Sequence, residues 1–184
     1  AGNQDNPEMA EKLRFGLMCR NTTLPWWQAE AVAMLIAGGH RLVLIVRDAR
    51  SPEKPGWLKR QFARPLRTMF FSLLENRLFA PDSRKPANIG ELIRDVDAID
   101  CCVETIGFSE YFSKEDLARI GRYETDFILR FGFGIIRGEI LSVPRFGIWS
   151  FHHGDEMKYR GGPAGFWEIF HSDPVTGAIL QRLT

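Results

Sequence analysis

Residues 150–161 read Ser-Phe-His-His-Gly-Asp-Glu-Met-Lys-Tyr-Arg-Gly, and they follow an apolar run directly. Two imidazoles, two carboxylates, an ammonium, a phenol and a guanidinium crowd into this stretch, more titratable groups than an ordinary turn needs. A histidine, with an unperturbed pKa of about 6.5, can accept and return a proton at neutral pH, so His152 suits general acid–base work, while His153, His171 and His40 read as surface or hydrogen-bonded structural residues. Asp155, Glu156, Lys158, Tyr159 and Arg160 could serve a substrate; they could equally form an ion-pair network that only fixes the loop. His152 at a strand end could likewise do no more than cap that loop. A second candidate precedes it: Arg130-Phe131-Gly132-Phe133-Gly134-Ile135, the start of a glycine-rich run to Gly138. Small residues there permit either a tight turn or the close approach of backbone to a flat ring.

Several other chemistries lack their motifs. Neither GxGxxG nor GxxxxGK[ST] is present, and the first strand is followed by Arg20, Asn21 and Thr22, which argues against a nicotinamide or flavin cofactor and against a P-loop nucleotidase. No GxSxG nucleophile elbow occurs. CxxC is absent and His40, His152, His153 and His171 stand far from the cysteines, so no metal site is expected. Cys19, Cys101 and Cys102 are an odd number in apolar surroundings, which points to a reducing, cytoplasmic compartment.

The segment from Ser150 to Gly161 resembles the active-site loop of formyltransferases that use 10-formyltetrahydrofolate. In that family a strand ends in Asn, one residue, then His, and the loop closes on an aromatic-Arg-Gly element before a helix. The likeness continues through Gly162-Pro163-Ala164 and the stretch from Asp173 to Gly177, and upstream through DFILRFGFGIIRGEIL, residues 126–141. It covers residues 98–184 and is only topological before them. The resemblance implies attack of a small-molecule amine on the formyl carbon, with His152 taking the proton and Ser150 standing where the family has its oxyanion donor Asn. Arg130 to Ile135 would wrap the folate, and Asp155, Glu156, Arg160 and Gly161 would line the acceptor. An amino sugar is as good an acceptor as a charged tRNA or a purine precursor. A formyltetrahydrofolate hydrolase, or a ligand-binding module without turnover, is the alternative. The family's catalytic Asp lies in a strand-loop element beyond the Thr-Gly strand, so a domain cut short at Thr184 is expected.

These groups must be held by a scaffold whose pattern alternates strands and helices. Leu13–Cys19 reads as a strand, Pro25 as the first residue of a helix capped by Thr23, and Trp27, Ala31, Met34 and Leu35 as its apolar face. Gly38 and Gly39 stop that helix, and Leu42–Val46 is a strand covered on both faces. From Arg47 to Arg67 seven cations stand against two acids in a loop leading to a basic helix with Met69, Phe70, Leu73 and Leu74 on one side. That stretch reads as a solvated helix face, with an anionic substrate or a membrane interface as the minority reading. Pro81 and Pro86 mark a loop. A short helix at Ile89–Ile93, a strand at Ala98–Val103 and a helix opened by the capping box Ser113-Lys-Glu-Asp116 follow. Then come a strand at Asp126–Leu129, a helical turn at Ile140 and Leu141, a strand at Gly147–Phe151, a loop at His152–Gly162, a helix at Pro163–Phe170 and a strand at Ala178–Leu183.

The pattern predicts an α/β, Rossmann-like domain over residues 1–184, a mostly parallel sheet with helices on both faces. An apolar share of 45% suffices for its core, and the five tryptophans are expected mainly there. Net charge is +1, so no nucleic-acid partner is expected, and the longest apolar runs fall far short of the roughly 20 residues that span a bilayer. Residues 1–9 lack the cationic and apolar parts of a signal peptide.

Overall fold

The computed structural model describes residues 11–50, 82–155, 157–159 and 166–184. In chain order the elements are β1 (Arg14–Cys19), β2 (Thr23–Pro25), α1 (Trp26–Ala37), β3 (Arg41–Asp48), β4 (Pro86–Asn88), β5 (Ala98–Cys101), β6 (Glu104–Ile106) and β7 (Ser109–Tyr111). They continue with α2 (Lys114–Gly121), β8 (Phe127–Arg130), β9 (Ile135–Ile136), β10 (Ile148–His153), α3 (Phe166–Phe170) and β11 (Ala178–Arg182). Two 3-10 turns, Asp82–Arg84 and Glu139–Ser142, join them. The basic helix expected beyond Arg50 lies outside the described residues.

Six strands form the main sheet in the order β11-β10-β8-β1-β3-β5. The first five in the chain run parallel and β11 closes one edge antiparallel to β10. Strands buried on both faces read as unbroken apolar runs, and β1 and β3 do so. Phe15, Leu17, Met18, Leu44 and Val46 are fully buried. Side chains alternate across the sheet. One face packs Met18, Leu44, Val46, Ile128 and Ile148 with Ile120 of α2, and the other packs Phe15, Leu17, Leu42 and Leu129 with Val32 of α1. The described helices α1 and α2 thus cover opposite faces, as the Rossmann-like reading requires. Each such aliphatic side chain contributes about 1.5–3 kcal/mol by leaving water.

Local departures have local causes. Thr23 does not cap α1, because Thr23–Pro25 is extended and pairs with Pro86–Asn88 as a small two-stranded sheet. The first free amide of α1, Trp26 N–H, donates instead to Lys85 O at 2.8 Å. Pro86 therefore lies in a strand rather than a loop, and Ile89–Ile93 is a series of turns rather than a helix. Ser113 does cap α2, its Oγ accepting from Asp116 N at 3.1 Å. Glu104–Ile106, Ser109–Tyr111 and Ile135–Ile136 form a three-stranded side sheet that the sequence pattern did not reveal. The described tryptophans are not core residues: Trp26 and Trp167 are exposed and Trp27 and Trp149 are only partly covered, while Trp57 lies outside the described residues. Cys102 is exposed, unlike Cys19 and Cys101. Among the described residues no helix is long and apolar enough to cross a membrane.

Candidate active site

From β1 the chain steps to β3 and β5 on one side and later to β8 and β10 on the other, so the order of connection reverses between β1 and β8. Ligands of open parallel sheets collect outside the carboxyl ends of the strands at such a reversal. The glycine-rich turn folds over this point, with Phe131 N–H and Gly132 N–H both donating to Met18 O, at 2.8 and 2.9 Å.

The two glycines are needed for space. Neither has positive φ; the left-handed residue of the turn is Phe133, at φ 65°. A Cβ on Gly132 would lie 3.0 Å from the backbone of Cys19, and one on Gly134 would lie 2.9 Å from Glu110 Oε1. The room left by these missing side chains is therefore already filled by β1 and by Glu110. Phe133 packs against Phe112, ring centroids 5.2 Å apart, and Phe131 stacks on Phe151 at 6.1 Å.

β10 runs on through His153, two residues further than expected, because β11 continues to pair with it: His152 is opposite Ile179 and His153 opposite Ala178. His152 is thus a strand residue. Alternation places Ser150 and His152 on one face and Phe151 and His153 on the other. Met18, Arg130 and Ser150 sit side by side on β1, β8 and β10. His152, Ser150, Arg130, Gly134, Ile135 and Arg137 line a cleft of about 400 Å³, within the usual range for small-molecule sites. On the opposite face, His153 packs edge-on against Trp27 at 5.2 Å.

Arg130 Nη1 donates to Ser150 Oγ at 2.9 Å and Nη2 to Gly134 O at 2.8 Å. Its Nε is buried without a partner. Burial pulls the guanidinium below its ordinary pKa, opposed by the nearby Glu110 charge, yet an arginine stays charged. Glu110, on β7, was not singled out in the sequence. Its Oε2 accepts from Gly134 N at 2.6 Å and its Oε1 lies 2.8 Å from Arg50 Nη2. Arg50 also grips Asp48 through Nε and Nη2, both at 2.7 Å. Two cations of the basic stretch are accordingly already paired, since Arg47 also meets Asp100 at 2.7 Å, at the surface.

The loop after β10 divides. Asp155 Oδ1 accepts from Met157 N at 2.9 Å, an internal turn, while Glu156, Arg160 and Gly161 lie outside the described residues. Lys158 pairs with Asp173 at 3.1 Å, and the Tyr159 hydroxyl donates to the same carboxylate at 3.3 Å. Tyr159 stacks on His171. His40 Nδ1 accepts from Leu13 N at 3.2 Å, a structural role. Among the described residues no carboxylate is hydrogen-bonded to the His152 ring, and no group of three His, Cys, Asp or Glu side chains is arranged to hold a metal.

Two other features of the region are unsuited to the chemistry. Cys19 closes β1 at the reversal, but burial, against the field of Arg47, pushes its thiol up to about 11, so it is no nucleophile near neutrality. A larger cleft of about 540 Å³ opens on the opposite face, between α1 and the β8-β10-β11 side of the sheet. It is walled by Met34, Leu35, Phe127, Phe146, Trp149 and Phe151, and its one titratable group, His40, is engaged with Leu13.

No family model matches the chain. Two curated proteins align with it, the methionyl-tRNA formyltransferases of Ehrlichia ruminantium strains Gardel and Welgevonden, each 29% identical over 105 residues. The alignments take in 54% of this chain and 34% of those proteins, so the chain spans about a third of the length of the curated relatives it matches. Among solved structures, glycinamide ribonucleotide transformylase 1 of Symbiobacterium toebii superposes with a TM-score of 0.53 and 16% identity, over 100% of this chain and 70% of that one. Phosphoribosylglycinamide formyltransferase of Bacillus halodurans gives 0.53 and 16%, over 93% and 72%. Glycinamide ribonucleotide transformylase 1 of Geobacillus kaustophilus gives 0.50 and 17%, over 92% and 73%. The chain therefore has an α/β fold related to that of the formyltransferase superfamily, with weak sequence similarity to formyltransferases.

Proposed function

We propose that this chain transfers a formyl group from 10-formyltetrahydrofolate to an amine. The observation that carries the reading is the placement of His152 and Ser150 on one face of β10, in a cleft beside the ends of β8 and β10, next to the strand reversal of a formyltransferase-type sheet. The cleft fits the reacting end of such a donor: its wall includes the half-buried guanidinium of Arg130, and the Ser150 hydroxyl is on the same strand face as His152. His152 takes the proton that the amine loses as its nitrogen bonds to the formyl carbon. Ser150 donates a hydrogen bond to the carbonyl oxygen, which gains the electron pair of the broken π bond. His152 then returns the proton to the departing folate nitrogen as the old carbon–nitrogen bond breaks. The backbone of Gly134 and Ile135 borders this space, and the acceptor is assigned to the loop that carries Asp155, Glu156, Arg160 and Gly161 in the sequence. An amino sugar is as good an acceptor as a charged tRNA or a purine precursor, and the compartment we assign is the cytoplasm.

Purified protein given 10-formyltetrahydrofolate and a panel of amines should release tetrahydrofolate. His152→Ala should slow that release by about 10²–10⁴-fold, the contribution of a general acid–base group. Release without any amine identifies a hydrolase. A second reading, binding without turnover, draws on the absence of a carboxylate on the His152 ring among the described residues. It is the correct one if a folate analogue raises the melting temperature while neither water nor any amine takes the formyl group.

A further inference from the structure

At the carboxyl ends of β1, β3 and β8, beside Glu110 in the middle of β7, two of three guanidinium groups engage two carboxylates. Asp48 is shared by Arg50, at 2.7 Å, and Arg20, at 3.4 Å. Glu110 is taken by Arg50 and by the amide of Gly134. Arg130 is left over. Among the described residues it has no carboxylate within ion-pair distance, its two partners are the neutral oxygens of Ser150 and Gly134, and its Nε has none. A half-buried positive charge thus stands in the wall of the same cleft that holds His152.

The contact with Ser150 has a direction. Because Oγ accepts from Arg130, the hydroxyl proton must point elsewhere, and a donor chain that begins at a cation is polarised towards its far end. Among the described residues that proton reaches only Phe151 O, across a long 3.4 Å. A better acceptor entering the cleft would displace it.

We infer that Arg130 and Ser150 act as one unit that receives a negative oxygen atom in this cleft, Arg130 being the positioning residue behind the Ser150 donor. That the oxygen is the formyl carbonyl's rests on the function proposed above. The charge develops only as the amine bonds to carbon, so the unit stabilises the transition state more than the bound donor.

The test has two arms. In steady-state transfer, Arg130→Met and Ser150→Ala should each lower kcat by about 100-fold or more, the scale for losing one oxyanion donor, with KM for the formyl donor within a few-fold. The double variant should be no slower than the slower single one, because the two residues act together. Arg130→Lys, which keeps the charge without the planar fork, should recover part of the loss. A raised KM at unchanged kcat, or additive losses, overturns the inference. Folding of each variant is checked by circular dichroism, and Arg130→Lys carries the test if Arg130→Met does not fold. The second arm needs no turnover. Sodium formate should raise the melting temperature of the wild type above that in sodium chloride of equal ionic strength, and should not do so for Arg130→Met or, where that variant does not fold, for Ser150→Ala. No formate-specific shift in the wild type overturns the inference. A wild type that releases no tetrahydrofolate yet shows the shift overturns formyl transfer and supports the anion seat.

Discussion

Asp48 keeps its charge in a nearly closed setting, its side chain 1% exposed, because two guanidinium groups meet it there. Hydrogen bonds from Arg50 hold the carboxyl below the ordinary carboxylate value; burial works the other way, and Arg20 adds to the lowering. The folded value thus lies under the unfolded one of about 3.9. The stabilisation is complete above that pH and is lost as pH falls through the folded value. Urea unfolding between pH 7 and pH 3 should therefore show stability dropping below about pH 4. Asp48→Asn should start about 1–3 kcal/mol lower at neutral pH, having lost charged hydrogen bonds, and should show a shallower acid decline. None of this is legible in the sequence, where Asp48, Arg50 and Glu110 are ordinary charged residues and the contact from Glu110 to Gly134 joins positions 24 apart. Gly132 and Gly134 do announce themselves, but glycine says only that a Cβ is unwelcome. What stands in its place, the Cys19 backbone in one case and a carboxylate in the other, is a tertiary fact.

Elements differ in the same way. β1 and β3 are evident as continuous apolar runs because both faces are covered, and α2 is evident because its cap is chemical: a serine oxygen takes the Asp116 amide. Ser113→Ala should cost about 1 kcal/mol and lower the melting temperature accordingly. β2, β4, β6 and β9 are hidden. Each has only two or three residues, β6 is exposed throughout, and a period of two cannot declare itself over so short a span. The end of β10 is hidden for another reason. His152 and His153 are polar and read as the start of a loop, yet the pairing partner Ala178–Ile179 keeps them extended. That pairing moves the candidate base from a loop onto the sheet, which is the most consequential difference between the pattern and the structure.

At the scale of the whole molecule the alternation of strands and helices carried the α/β reading, and the cleft opens beside the ends of β8 and β10, next to the reversal between β1 and β8. Cohesion is uneven. β1, β3 and β8 lie inside the main sheet with neighbours on both sides, whereas β6 and β7 form a hairpin whose tip, Phe108, is 90% exposed. Amide hydrogen exchange should accordingly be slowest in β1, β3 and β8 and faster by orders of magnitude in β6 and β7; equal protection would contradict the layering described above. The unequal lengths of β8 and β10 have an effect of their own. Their pairing stops at Arg130 and Ser150, while β10 proceeds to His153 with β11 alone beside it. At about 3.3 Å per residue, His152 overhangs the end of β8 by roughly 7 Å. The notch beneath it is cut by backbone, so replacing the side chains that line it would alter its chemistry and leave its depth intact.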